Sequence, residues 1–146
     1  MEMTRGWFRI WPVLAMVVAL AQCAGAQADD VSLRDSFADQ IADSSFVSDF
    51  SRDGDEFTFS GPDAEDQPAA WRVKITSSFV EPKLFDEEMP FQGRIATEWY
   101  VNDELVEYLG TMTALPKKFL DRGVGQECWA YWVEAEGRWD WGEIIE

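Results

Sequence analysis

Two glutamates could stand close enough together to act as a pair of catalytic carboxylates. Glu98 and Glu107 flank Asn102-Asp103, and a two-residue turn there would place them directly opposite each other on paired strands. Opposed side chains have Cβ atoms roughly 4.5–5.5 Å apart, and two carboxyl groups so close raise one of their pKa values, as glycoside hydrolysis requires. The other interpretation is that both point into water. Because acidic residues are common throughout this chain, we assign no catalytic residue and keep a small carboxylate-based hydrolase as the alternative function.

A second acidic pattern could hold calcium. Its oxygen-bearing residues alternate along the chain and enclose one glycine: Asp49, Ser51, Asp53, Gly54 and Asp55. This run resembles the first seven positions of an EF-hand loop, including the glycine at the sixth position. The twelfth position should be a bidentate glutamate but is a serine, and the flanking segments alternate as strands do. A charged hairpin tip is therefore the preferred interpretation, with Asp49, Asp53 and Asp55 as a weak calcium candidate.

Aromatic side chains are the third group that could carry function. Six of the eight tryptophans of the chain lie in residues 29–146, and most of these six are expected in the core. In the predicted registers, Trp132 and Tyr100 lie on the faces of their strands that point away from the predicted core residues. An exposed tryptophan beside polar groups is a frequent hot spot for recognition. These two residues are the candidate binding residues, although a second small core is the preferred interpretation of Trp132.

Composition excludes several other kinds of chemistry. The chain has no histidine, which removes Ser-His-Asp and Cys-His catalysis and histidine-liganded metals. It has 28 acidic against 12 basic residues, a net charge of −16, which argues against nucleic acid or an anionic membrane as the partner. Neither a phosphate-binding P-loop nor a G-x-G-x-x-G motif is present, so no cofactor is predicted.

The first 28 residues have the order of a secretory signal peptide. Arg5 and Arg9 precede an apolar run of twelve residues, which is too short to span a bilayer, and two overlapping A-x-A sites follow it. Cleavage after Ala28 is preferred, and cleavage after Ala26 is nearly as good. We therefore predict export to the periplasm or the medium, with no membrane span.

The two cysteines bear on this processing. The residues before Cys23 resemble the lipobox of bacterial lipoproteins, in which the cysteine is acylated. Gln22 stands where that pattern has a small residue, so a lipid anchor at Cys23 is the less favoured alternative. If Cys23 leaves with the signal, Cys128 remains alone. It is predicted to be a buried structural thiol.

The first half of residues 29–146 reads as one helix followed by a hairpin. Ser32 is the predicted N-cap of a helix over residues 33–43, whose apolar stripe contains Leu33, Phe37 and Ile41. From there the apolar period changes to two, and a two-residue Asp53-Gly54 loop is predicted to join two strands. This register places four phenylalanines on one face: Phe46, Phe50, Phe57 and Phe59.

The second half predicts further short strands. They are a strand running from Trp71 toward Phe79, a long loop over residues 82–93, a hairpin over residues 95–109, a short helix over residues 116–122 and a final hairpin over residues 127–142. A three-residue loop ending in Gly137 opposes Val133 with Trp139 in the final hairpin. This register predicts that one face of the hairpin belongs to the core and is formed by these residues: Trp129, Tyr131, Val133, Trp139 and Trp141.

These elements predict an α+β fold. An N-terminal helix packs on a bent, mainly antiparallel sheet of about six to seven short strands, which could form a small open barrel. Residues 29–146 are expected to be one exported domain. The preferred function is a binding or interaction module whose partner is another envelope protein or a small ligand.

Overall fold

The computed structural model of this chain describes residues 27–106 and 115–144. Two helices and seven strands follow one another in these ranges. The helices are α1 (Asp30–Ala42) and α2 (Lys117–Leu120). The strands are β1 (Ser48–Asp53), β2 (Glu56–Pro62), β3 (Pro68–Pro82), β4 (Phe91–Val101), β5 (Glu104–Leu105), β6 (Glu127–Val133) and β7 (Arg138–Ile144).

All strands pair in one antiparallel sheet with the order β1-β2-β3-β4-β6-β7. β4 has two partners on one side, because its N-terminal half pairs with β6 and its C-terminal end pairs with β5. The sheet curls into a half-barrel, and α1 packs on the apolar face. The predicted α+β fold with an open barrel is thereby confirmed. Within the described residues, no helix is long and apolar enough to cross a membrane.

Helix α1 is positioned by its apolar stripe and by its cap. Leu33, Phe37 and Ile41 are fully buried, as predicted. The predicted N-cap was wrong, because Asp29 is the capping residue. Its carboxylate accepts the Ser32 backbone N–H at 2.7 Å, and its own N–H donates to the Ser32 hydroxyl at 3.1 Å. Either residue type can cap a helix, and capping by the earlier aspartate lets α1 begin at Asp30 rather than at Leu33.

The first hairpin turns one residue later than predicted. Its turn residues are Gly54 and Asp55, so Asp53 pairs with Glu56 rather than lying in the loop. Gly54 has φ +61°, the conformation that glycine adopts most freely at the first position of a hairpin turn. The four phenylalanines still collect on the core side. Two are buried in β2 and two pack against the core's edge: Phe57, Phe59, Phe46 and Phe50.

The middle strands are longer than predicted. β3 continues to Pro82 and β4 begins at Phe91, which shortens the long loop to residues 83–90. The turn between β4 and β5 is as predicted, since Val101 pairs with Glu104 across Asn102-Asp103. Both turn residues have positive φ, at 49° and 66°. Asparagine and aspartate tolerate this conformation best among residues with a side chain.

Helix α2 contributes one large aromatic side chain to the core. Phe119 is fully buried, and its ring lies 4.9 Å from that of Phe46 and 5.2 Å from that of Trp99, centroid to centroid. The residues after α2 turn back at Gly123, whose φ is +75° and which touches the Trp141 backbone. A Cβ atom at Gly123 would lie 2.8 Å from that backbone, so only glycine fits. Thus Phe119 of α2 packs among aromatic residues of β2, β3 and β4, and the turn that follows α2 packs against β7.

Candidate functional site

Trp132 is buried, in agreement with the preferred interpretation that it is a core residue, so it does not form an exposed binding residue. The final hairpin pairs Val133 with Arg138 and Trp132 with Trp139, one residue away from the predicted register. Trp132 is only 5% exposed, and its ring packs edge-on against Trp139 at 5.4 Å. Its indole N–H donates to Glu134 Oε2 at 2.9 Å. This side chain belongs to the core.

The same shift changes the predicted core face of this hairpin. Trp139 and Trp141 are buried as expected. Trp129 and Tyr131 instead lie on the outer face of the sheet, where both are half-buried. The Trp129 ring packs edge-on against Phe79 at 6.0 Å.

Tyr100 lies on the outer face and is half-buried. The Arg72 guanidinium sits 4.0 Å from the centre of its ring, and its hydroxyl donates to Glu98 Oε2 at 2.8 Å. This hydrogen bond to Glu98 is the main cause that raises the pKa of Tyr100. The Tyr100 side chain is therefore already engaged on one ring face and at its hydroxyl. Glu107, the predicted partner of Glu98, lies outside the described residues.

The calcium candidates do not converge on one point. Asp55 Oδ2 accepts a hydrogen bond from Arg34 at 2.8 Å, which turns this carboxylate toward α1. Asp49 lies at a bulge in β1 with φ 55°, and it lines a shallow cavity of about 290 Å³ together with Arg72 and Asp103. In residues 27–106 and 115–144, no group of three or more Asp, Glu, His or Cys side chains is arranged to hold a metal ion.

Cys128 is buried, as predicted. Its thiol is fully enclosed and lies 3.8 Å from the carbonyl oxygen of Ile95. Burial raises the pKa of Cys128 to about 12, because the apolar surroundings disfavour the thiolate. A neutral thiol of this kind is a poor nucleophile, so Cys128 contributes to packing.

The loop between β3 and β4 presents two large apolar side chains to solvent. Leu84 is 80% exposed and Phe85 is 103% exposed, which makes them the two most exposed large apolar residues of the described chain. We call these two residues the apolar tip. Single exposed apolar residues are common on protein surfaces, so the adjacency of two on one loop distinguishes this position.

Polar contacts hold this loop in one conformation. The Lys83 backbone N–H donates to the Pro90 carbonyl at 2.7 Å and closes the base of the loop. Inside it, one Asp86 carboxylate oxygen accepts the Met89 N–H at 2.9 Å, and the other lies 3.1 Å from Lys83 Nζ. The Met89 hydrogen bond first, and Lys83 second, lower the pKa of Asp86. The loop thus has its own internal framework.

The rest of the sheet anchors this framework from outside. Lys83 Nζ lies 4.8 Å from the centre of the Tyr131 ring on β6, and the Glu88 carbonyl accepts the Glu134 N–H at 3.1 Å. Both contacts reach the neighbouring β6–β7 hairpin. The loop therefore has contacts at its base, at its acidic side and with a second hairpin, while the apolar tip remains exposed.

Phe85 has an unfavourable backbone conformation. Its φ is 64°, in the left-handed region that bulky residues rarely adopt. Leu84 and Phe85 are the central residues of a turn in which only the second has positive φ, and glycine or asparagine is preferred at that position. A phenylalanine there is strained by roughly 1–2 kcal/mol and buries nothing in return within the described chain.

The sequence analysis identified the long loop but not the two residues at its tip. A signal was available, because a Leu-Phe pair stands between Pro82 and Pro90 among residues that are charged except for Met89. Neither the exposure nor the positive φ of Phe85 could be derived from that pattern. The bounds of β3 and β4 were needed to show that Leu84 and Phe85 form the turn.

Comparisons of this chain with protein-family models, with curated proteins and with solved structures found no match.

Proposed function

We propose that this chain is an exported interaction module that binds a partner through the apolar tip, Leu84 and Phe85. The observation that carries the proposal is a phenylalanine that is fully exposed while its backbone is held at positive φ. Exposure of apolar surface and backbone strain both cost free energy. A residue that bears both costs without burial in its own fold is typical of a contact site.

The rigid framework of the loop also supports a binding role. A contact loop that is already ordered loses less conformational entropy when it binds, so more of its contact energy appears as affinity. The bonds of Asp86 to Lys83 and Met89 provide that order before any partner arrives. The arrangement favours a module with a preformed contact surface over a loop that folds on binding.

Export is the second part of the proposal, and it rests on the signal-like order of residues 1–28. Protein recovered from the periplasm or medium should begin at Asp29 or Gln27, as measured by intact mass. A species that begins at Cys23 and carries acyl chains would show that the lipoprotein alternative is correct. A species that retains Met1 and stays inside the cell would contradict export.

The binding part is tested by photocrosslinking in cells that export the protein. A photoreactive phenylalanine analogue is placed at position 85 in one strain and at position 105 in another. Leu105 is the matched control, because it is 53% exposed and lies in β5, beside the end of β4 that is farther from the apolar tip. We expect a discrete adduct from position 85 and none from position 105. Equal labelling from both positions, or none from position 85, would contradict a contact site at the apolar tip.

A further inference from the structure

We infer that the partner is a protein whose surface has an apolar pocket surrounded by basic residues. This inference rests on the proposed function, since it describes what the apolar tip would contact. Leu84 and Phe85 are the anchors that would enter the pocket. The charges around them determine what kind of surface can approach.

The rim of the apolar tip is acidic. Asp86, Glu87 and Glu88 follow the tip directly, and Glu87 and Glu88 are exposed. The one cation of the loop, Lys83, lies beside Asp86 and over the Tyr131 ring, so its charge is already compensated. A partner therefore meets two apolar side chains bordered by uncompensated negative charge.

This charge disfavours a lipid surface as the occupant. Loops and helices that insert apolar residues into anionic bilayers carry lysine and arginine at their polar edge, and each such charge contributes attraction. Here the polar edge is acidic and the whole chain has a net charge of −16. Approach to anionic lipid would be repulsive before the apolar tip could reach the acyl region.

A second copy of the chain is disfavoured for the same reason. Two copies that met tip to tip would bring two acidic rims together, and like charges opposed across an interface reduce both rate and affinity. Basic residues on a different protein reverse the sign of this interaction. Charge complementarity therefore favours a basic-rimmed protein over lipid and over self-association.

The first test asks what the apolar tip contacts. Adducts formed from position 85 are identified by mass spectrometry, and the purified protein is assayed with vesicles of phosphatidylglycerol and phosphatidylethanolamine and by sedimentation. We expect one protein adduct, no vesicle binding and a monomer. Vesicle binding or self-association that Phe85→Asn abolishes would overturn the inference. The absence of any adduct would instead count against the proposed function itself.

The second test measures how the acidic charges beside the apolar tip affect binding, with two matched double variants. The double variant Glu87→Gln with Glu88→Gln removes two exposed charges beside the apolar tip. The double variant Asp103→Asn with Glu104→Gln removes two exposed charges at the opposite end of β4. Binding kinetics are measured with the purified, identified partner at low and high salt.

We expect the first double variant to lower the association rate roughly threefold to tenfold at low salt, with the difference closing at high salt. The second should change the rate less than the first at the same salt concentration, because its charges lie beside the opposite end of β4 and electrostatic interactions weaken with distance. Equal effects of the two variants, or rates that do not depend on salt, would refute a basic rim. In that case the adduct from position 85 would still stand, so the failure would concern the partner's chemistry only.

Discussion

Replacing Phe85 with asparagine separates the effect of this residue on the free energy of unfolding from its effect on partner binding. The native side chain is 103% exposed, so the substitution removes no buried apolar surface from the fold. The backbone at φ 64° is unfavourable for phenylalanine and is tolerated by asparagine. Most of the left-handed penalty of roughly 1–2 kcal/mol should be relieved. We therefore expect Phe85→Asn to raise the free energy of unfolding by about 1 kcal/mol.

The assay is equilibrium unfolding in urea, followed by tryptophan fluorescence. The midpoint should rise while the slope stays constant, because the surface exposed on unfolding is nearly the same. Leu84→Ala is the control, since Leu84 is 80% exposed and has ordinary φ, and its stability should stay within about 0.5 kcal/mol of the native value. Both variants should bind the partner more weakly than the native protein.

One result would refute this reasoning. If Phe85→Asn lowered the free energy of unfolding by more than about 1 kcal/mol, the Phe85 side chain would have to contribute packing within the fold. Its exposure and strain would then no longer indicate a contact site. A gain in stability combined with a loss of binding is the combination that only a functional residue gives.

Two substitutions and the chemistry of Cys128 test the core. Gly93→Ala should destabilise the protein by about 1–3 kcal/mol in urea unfolding, because a Cβ atom there would lie 2.6 Å from Leu33 Cδ1. An unchanged midpoint would show that α1 does not pack against Gly93 as described. Trp141→Ala should lower the free energy of unfolding by about 3–5 kcal/mol in the same assay, since Trp141 is 8% exposed and its indole N–H donates to the Ser36 hydroxyl at 2.8 Å. A decrease of less than about 1 kcal/mol would contradict the burial of Trp141. Cys128, whose pKa is raised to about 12, should react with a maleimide only after unfolding, and rapid labelling of the folded protein would contradict its enclosure. Because the thiol ionises only in the unfolded chain, the contribution of Cys128 to stability should fall as the pH rises above about 9.

The faces of the first hairpin could be predicted although its register could not. The sequence pattern opposed Phe50 with Phe57, whereas Arg52 lies opposite Phe57 in the structure, a displacement of two residues along one strand. Side chains alternate with period two, so an even displacement leaves the residues between the turn and the bulge in β1 on their predicted faces. Phe50 and Phe57 therefore still stack, with ring centres 5.9 Å apart. Hydrophobic alternation determines the face more strongly than it determines the partner.

In the final hairpin the displacement was odd, and the prediction of faces failed. Val133 lies opposite Arg138 rather than Trp139, because the turn contains four residues instead of three. Gly137 has the expected positive φ of 62° in either case. Aromatic residues on both faces of β6 make the alternation uninformative here. This explains why Trp132 was assigned to the wrong side.

The contacts that could not be predicted are those between distant parts of the chain. The stripe of α1 was visible in the sequence, but the pairing of Leu33 with Gly93 depends on how far the sheet curls. Likewise, the division of β4 between β5 and β6 has no local signal. The contacts that order the loop of the apolar tip belong to this class, since they join this loop to Tyr131 and Glu134 on another hairpin.

The strain at Phe85 persists because Asp86 determines the shape of the loop. The carboxylate binds Met89 and Lys83 at the same time, which fixes the chain on the far side of the turn. Its pKa is lowered, so this contribution is present above the pKa of the unfolded chain and is lost only as the pH falls through the lowered value. The contacts of Asp86 that order the loop are thus retained at neutral and mildly acidic pH. An ordinary exposed loop could relax by rotating Phe85 out of positive φ, and the ion pair and hydrogen bonds of Asp86 oppose that relaxation.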